Sequence, residues 1–457
     1  MSVTIRPLSF KRALCAALSV ALAPSVVCGW GAPHTVITQA AAVALPEWQK
    51  QLLGAELKPL GAHYCLIPDL VHTDKENARF ATMDSYPGVR YLRILHLPAT
   101  PAENYDVLRY YIGKAVASFD AGQLGDAARY AGTLSHALED WGCPAHVVPG
   151  DNMFTLFKQF LPPPASHQYA LLHGPVENGV FALDLGGYRP QLLGTSVDEA
   201  AFNLLSRVQG ATVHARGQVV PIIQALYAGD TNAVNAAQQV AADYDAKMVA
   251  DALFTLGCLM RKRFDEPAAF EAADLTAWAP LEFPDLYPPQ AAFFSKPFWG
   301  HTTFGVILNN GKPVPLQLNV AEQGQTVTRT FASGIGTGTR SVVTYLIPEG
   351  VYARFTAWAG LQAGLGRGGQ VTFCVSGNGK PLTTLGPVVG DAAAQAVDVP
   401  LAGVTNLQLT VSSAGGDGSG NFAVWGEPRL RKAPGRADAR PSRAFAPNTP
   451  QTLVPRQ

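Results

Sequence analysis

The chain has 457 residues, 34 basic against 34 acidic, and a pI near 7.1. That balance removes any global electrostatic argument for a polyanion-binding protein, and the length implies two or three domains rather than one. An apolar share of 47% is ample for packed cores, while 44 glycines and 35 prolines suit a loop-rich extracellular protein.

At the N-terminus, Arg6, Lys11 and Arg12 precede an apolar run from Ala13 to Val27. The run is short and broken by Pro24, which fits a secretory signal peptide over residues 1–29 and not a membrane span. Val27 and Gly29 suit a cleavage site, so a cut after Gly29 is expected, with Trp30 as the new first residue. Lipidation at Cys28 is the rival, disfavoured by Val27 immediately before it. The protein is therefore expected to be secreted or periplasmic, with no transmembrane segment. Cys15 and Cys28 leave with the signal, and Cys65, Cys143, Cys258 and Cys374 remain where disulfides are permitted. A Cys65–Cys143 bridge is attractive, but pairing cannot be deduced from sequence and free buried thiols are the alternative.

From about 35 to 265 the pattern is helical. TVITQAAAVALPEW, ENYDVLRYYIGKAVASF, QLGDAARYAGTLSHALEDW and DEAAFNLLSRVQGATVHA carry apolar residues at helical spacing. NAVNAAQQVAADYDAKMVADALFTLGCLMRKRF does so too, with a basic end suited to a helix C-terminus. APLEFPDLYPPQAAFFSKPFWG then reads as a proline-rich connector. Beyond it, SVVTYLIPEGVYARFTAWAGL, QVTFCVSGNGKPL and NLQLTVSSAGGDGSGNFAVWGEPRL alternate β-formers with Gly, Asn and Asp turns, an all-β sandwich pattern. The expected layout is a multidomain chain: an all-α region over 30–268, a linker over 269–292, a β-sandwich over 293–430 and a disordered tail over 431–457.

The chemistry concentrates in LSHALEDWGCPAH, residues 134–146. His136 and Asp140 are four apart and share one helix face. The helix should end near Trp141-Gly142, because Pro144 cannot continue it, and the turn can return His146 to the same place. Two imidazoles and a carboxylate suit Zn²⁺, although such a trio alone is also an ordinary capped helix end. In WGAPH, the amine and carbonyl of a terminal Trp30 can chelate a metal with His34 close behind; the bland alternative is a packed tryptophan and a capping histidine. HGPVE places His173 and Glu177 four apart. LIPDL and YLRILHLP add Asp69 and His96, an Asp among apolar residues being expensive to bury unless paired or metal-bound. His63 and His72 compete with His96, which is preferred.

In this order (Trp, His, Asp, His, H-x3-D-x5-H, H-x3-E) the segments over about 30–180 resemble the bacterial zinc-dependent phospholipase C family, whose fold is shared with fungal-type single-strand zinc nucleases. LSHALEDWGCPAH is similar to that family's ligand-bearing helix, WGAPHTVITQ to its mature start and IPDL to its acidic segment. The resemblance implies an α-helical domain holding three zinc ions. One ion takes Asp69, His96, His136 and Asp140; a second takes His146, His173 and Glu177; the third takes the Trp30 amine and carbonyl with His34, Asp140 bridging it to the first. The long interval from Asp69 to His96 and the Gly174-Pro175 pair depart from the family pattern.

Clustered divalent ions neutralise charge on a phosphodiester and lower the pKa of bound water towards ~7, so that hydroxide can attack phosphorus. Asp69 is the expected catalytic residue, orienting or deprotonating that water. The implied activity is a secreted phospholipase C. Glu177 favours the phospholipases, whereas the short Trp30–His34 spacing favours the nuclease alternative; Tyr64, Phe80, Tyr86 and Trp141 could serve a choline head group, stack bases, or simply pack. The expected substrate is thus a phospholipid head group or single-stranded nucleic acid, with peripheral membrane contact in the first case.

GIGTGTRSVVTYLIP, VYARFTAWAGL, VTFCVSGNGKPL and NFAVWGEPRL are similar in order to the NPCBM family, a carbohydrate-binding module with a galactose-binding-like sandwich. Gly338 and Val424 stand where that family often carries His and Asp, and the bland alternative is a structural sandwich with Trp425 packed inside. A glycan is the implied partner. A non-enzymatic alternative also exists, a secreted glycan-binding protein with a relict metal site.

Overall fold

In the computed structural model, residues 30–89, 92–148, 174–177, 179–264, 270–278, 280, 302–416 and 418–433 are described. Residues 1–29, expected as a signal peptide, His173, most of the expected connector and nearly all of the expected tail lie outside them. The helical half contains α1 (Pro33–Ala44), α2 (Glu47–Leu53), α3 (Leu57–Ala62), α4 (Pro101–Asp120), α5 (Leu124–Trp141), the single turn α6 (Gly174–Glu177), α7 (Val197–Ala228) and α8 (Thr231–Arg261).

Local chemistry sets most of these boundaries. Pro33 and Pro101 occupy first turns, where a missing N–H costs nothing. Thr100 and Glu103 form a capping box that starts α4. Ser196 and Asp230 cap α7 and α8 by accepting from the amides of Glu199 and Ala233. Gly229, at φ 70°, ends α7 and lets α8 fold straight back along it.

Helix α5 lies at the centre. It packs on α4, α8 and the 3-10 turn at 64–66, and every residue from Ala131 to Trp141 is buried. A helix end buried all round is normally apolar. This one carries Ser135, His136, Glu139 and Asp140, so its polar groups must be satisfied from within.

The second half is a β-sandwich. Its strands are β1 (Ala272–Asp274), β2 (Thr303–Phe304), β3 (Val306–Asn309), β4 (Lys312–Glu322), β5 (Gln325–Phe331), β6 (Gly334–Thr337), β7 (Ser341–Leu346), β8 (Arg354–Leu361), β9 (Gln370–Gly377), β10 (Lys380–Val389), β11 (Gln395–Pro400), β12 (Asn406–Ser413) and β13 (Ala423–Arg431). One sheet runs β11-β8-β13-β6-β2 with β1 added on β13; the facing sheet runs β10-β9-β12-β7; β3-β4-β5 form a small third sheet. Strict alternation makes the core: Val371, Phe373 and Val375 of β9 and Leu407, Leu409 and Val411 of β12 point inward. They meet Phe355 and Trp425 from the opposite sheet.

The boundary between the halves differs from the expected linker. Residues 272–274 pair antiparallel with β13, Ala272 opposite Arg431 and Asp274 opposite Arg429. The physical reason is apolar. Leu275 and Trp278, just downstream, are buried, and Trp278 lies 4.2 Å from Phe202 of α7 and 5.8 Å from Tyr352. A polar joint adds to this, since buried Glu199 accepts from Lys432 Nζ at 2.8 Å and from Tyr352 Oη at 3.4 Å. The sandwich also extends through Arg431, one residue past the expected end.

Candidate metal centre

The C-terminal end of α5 assembles the site. His136 and Asp140, one turn apart, bring Nε2 and Oδ2 to 3.2 Å. His96 follows the 3-10 turn at 93–95, which Trp141 clamps by donating from its indole to Ile94 O at 2.9 Å. This sets His96 Nδ1 at 3.1 Å from Asp140 Oδ2 and 3.2 Å from His136 Nε2. Asp69 Oδ1 lies 3.7 Å from the former nitrogen and 3.8 Å from His136 Nε2. For ligands held at ~2.0–2.1 Å, a tetrahedral zinc site has edges of about 3.3–3.4 Å. These donor separations, 3.1–3.8 Å, bracket that value.

The other oxygen of Asp140 faces elsewhere. Asp140 Oδ1 accepts from the Trp30 backbone nitrogen at 3.0 Å and lies 3.3 Å from His34 Nε2. One carboxylate thus stands between two donor groups, Oδ2 towards His96 and His136, Oδ1 towards Trp30 and His34. A third group lies nearby: His146 Nε2 is 3.4 Å from Glu177 Oε1, and Gly31 N donates to Glu177 O at 3.1 Å. The structure therefore brings Trp30, His34, Asp69, His96, His136 and Asp140 together and pairs His146 with Glu177, while His173 lies outside the described residues. Of the competing histidines, His72 is exposed and His63 pairs with Asp74 at 3.0 Å, away from the cluster.

The hydrogen bonds determine which ring nitrogen His136 and His146 present. His136 Nδ1 meets Cys65 O at 2.8 Å, and His146 Nδ1 meets His96 O at 2.5 Å. A carbonyl only accepts, so both Nδ1 atoms carry protons and both Nε2 lone pairs face inward. His34 Nδ1 meets Glu139 Oε2 at 2.6 Å, with Thr38 donating to the other oxygen of that carboxylate at 2.5 Å. Such outer carboxylates and carbonyls orient metal-binding imidazoles and raise their basicity. His34 Nε2 and Asp69 Oδ1 are buried and make no hydrogen bond. Orphaned donors beside a carboxylate fit a divalent cation, and the mixed N/O set fits zinc.

The same contacts shift the titration of these groups. Burial raises the Asp140 carboxyl, but His136 and His34 outweigh it and hold the group well below the usual range. Burial lowers His34, yet Asp140 and Glu139 more than offset this and leave it well above the usual imidazole value. Burial lowers His96, only partly countered by Asp140. Glu139 is raised by burial against the pull of His34.

Two residues in the cluster were not foreseen from sequence, Glu139 and Asp245. Glu139 had a local signal, being next to Asp140 in LEDW; Asp245 had none, since it arrives from α8 more than a hundred residues away. Two glycines make the approaches possible. A Cβ on Gly132 would meet Tyr64 at 2.4 Å, so only glycine admits the 64–66 turn that delivers Cys65 O. A Cβ on Gly142 would fall 1.8 Å from Asp245 Oδ1. Gly142 is at φ −99°, so clearance rather than a left-handed turn requires glycine there.

None of the four cysteines among the described residues forms a disulfide, so Cys65 and Cys143 are not bridged. Cys65 is satisfied by Gly61 O, and burial raises both thiols well above the usual value. Of the four candidate substrate aromatics, Phe80 and Trp141 are core residues and Tyr64 is buried, leaving Tyr86 exposed. In the sandwich, Trp425 is 1% exposed against Phe373 and Phe355, and Val424 is sealed beneath β3-β4-β5 with Leu316 and Leu318. Neither can stack on a sugar. No helix among the described residues is long and apolar enough to cross a membrane.

No curated protein sequence matches the chain. Among solved structures, the alpha-toxin of an avian strain of Clostridium perfringens shares 11% identity, covering 87% of this chain and 86% of its own, at a TM-score of 0.28. The CBM51 module of a Clostridium perfringens GH95 protein, solved with methyl-galactose, shares 21% identity over 35% of this chain and 99% of its own, at 0.29. A CBM51-2 and INT structure of Clostridium perfringens ZmpB, in complex with GlcNAc, shares 19% over 35% of this chain, at 0.29, and the match spans 31% of that chain. The chain itself places a helical region before a β-sandwich, and residues 302–431 match the model of the NPCBM/NEW2 domain family.

Proposed function

We propose that the helical region is a zinc-dependent phosphodiester hydrolase of the phospholipase C type, secreted after cleavage before Trp30. The observation that carries this reading is Asp140, one oxygen turned to His96 and His136 and the other to Trp30 and His34. Asp69, His96, His136 and Asp140 would hold one ion, Trp30 and His34 with Asp140 a second, and His146, Glu177 and His173 a third. Zinc bound there would supply Lewis-acid neutralisation of phosphodiester charge and lower the pKa of water towards ~7. Asp69, whose side chain is 9% exposed, is the carboxylate at the edge of the cluster and is assigned to orient the attacking water and accept its proton. Glu139 and Cys65 O hold the imidazoles in the tautomer that binding requires.

The NPCBM/NEW2 domain is proposed to bind glycan and to hold the enzyme at a carbohydrate-bearing surface, through a face that uses neither Trp425 nor Val424. The decisive experiment loads the secreted protein with zinc and offers phosphatidylcholine vesicles and a single-stranded oligonucleotide together, followed by phosphorus NMR. Phosphocholine released first supports the phospholipase reading. Mononucleotides released first replace it with the nuclease. Bound zinc with no loss of either diester leaves a metal-holding, non-catalytic protein.

A further inference from the structure

Asp245 is fully buried on α8, close to the three donor groups. Its Oδ2 accepts from the Trp30 indole Nε1 at 3.2 Å, and its Oδ1 makes no hydrogen bond. A buried carboxylate with one neutral donor is costly to keep. The fold nevertheless makes room for it, because residue 142 has no side chain where one would strike Oδ1 at 1.8 Å. The same tryptophan donates its backbone nitrogen to Asp140 Oδ1 at 3.0 Å. Trp30 is therefore held at two points, its ring by α8 and its main chain by α5. Two turns earlier on α8, Gln238 donates to Val176 O, next to Glu177, and Gly31 N reaches Glu177 O at 3.1 Å. Helix α8 thus braces both outlying donor groups against α5.

From this geometry we infer that Asp245 is a positioning residue: by holding the indole of Trp30 it sets the Trp30 main chain against Asp140 and so completes the donor group shared with His34. The inference rests on the zinc reading for its consequence, but the anchor itself is independent of zinc. Removing the acceptor leaves the ring held by packing alone, edge-on against Phe181 at 5.8 Å, and loosens the distance of the residue 30 main chain from Asp140. Outer partners of this kind typically affect metal affinity by about 10- to 100-fold.

The test uses the secreted protein, its first residue checked by N-terminal sequencing, with two readouts: the rate of zinc release to a chromogenic chelator, and hydrogen–deuterium exchange of the amides of residues 31–35. Asp245→Leu is expected to release zinc about tenfold faster or more and to expose those amides. Asp245→Asn retains an acceptor oxygen and is expected to stay near the parent in both. Trp30→Phe removes the donor and should match Asp245→Leu, the double variant being no worse than either. A folded Asp245→Leu with the parent's zinc release and the parent's exchange overturns the inference. If Asp245→Leu does not fold, Trp30→Phe decides, and unchanged release and exchange there overturn it. A parent that binds no zinc removes the proposed function, and the exchange readout then still decides whether Asp245 anchors residue 30.

Discussion

The two halves of the molecule bury different things. Among the described residues, every buried imidazole and carboxylate belongs to the helical half: His34, His96, His136, His146, Glu139, Asp140, Glu177, Asp198, Glu199, Asp245 and Asp251. The sandwich buries threonine, serine, glutamine and asparagine, with no ionisable Asp, Glu or His inside. A sandwich core is filled by alternation, and each inward position prefers a residue that asks for nothing but contact. The helical half pays for polarity with a dense set of hydrogen bonds, and groups of this kind mark where chemistry is done. The comparison places every buried ionisable carboxylate and imidazole among the described residues in one half and a purely packed core in the other.

That division can be broken at several points. The largest expected effect is on the helical half: stripping divalent ions with a chelator, or Asp140→Ala, abolishes phosphodiester hydrolysis, and zinc analysis shows at least two ions lost in the variant because both donor groups share that carboxylate. Asp69→Asn is expected to lower kcat about 10³-fold, within the range of a missing general base, while zinc content stays close to the parent's. Equal loss of zinc and activity would make Asp69 a ligand only. In the sandwich, Trp425→Ala should destabilise by about 3–5 kcal/mol, the cost of emptying a buried tryptophan site. Calorimetry would read this, with zinc content unchanged. Gly142→Ala tests the crowded seam between α5 and α8; overpacking against Asp245 should cost about 1–3 kcal/mol and loosen zinc. The smallest effect is at the joint. Tyr352→Phe removes one hydrogen bond to Glu199 and should cost about 1 kcal/mol without changing hydrolysis. A large fall in activity there would mean that the two halves act as one.

Much of this was legible in the chain itself. Helical periodicity in α4, α5, α7 and α8, and alternation in β9 and β12, are local properties that a single segment displays. The i, i+4 spacing of His136 and Asp140 is equally local, because helix geometry alone puts them on one face. The 272–274 strand gave no local signal in a stretch assigned to the linker, since its pairing partner lies more than 150 residues downstream. The pairing of Cys65 and Cys143 looked attractive from their proximity to site residues, but proximity to a site is not proximity of two sulfur atoms.

What the amino-acid sequence determined is the inventory and the two periodicities: which half is helical, which is strand, and which residues can donate to a metal. Only the tertiary structure decided how those donors meet. It turned the two oxygens of Asp140 to different neighbours, fixed the histidine tautomers through Glu139 and the carbonyls of Cys65 and His96, and brought Asp245 across to Trp30. These are relations between segments up to 215 residues apart. They depend on backbones approaching closely at Gly132 and Gly142, a matter of space that no local pattern encodes.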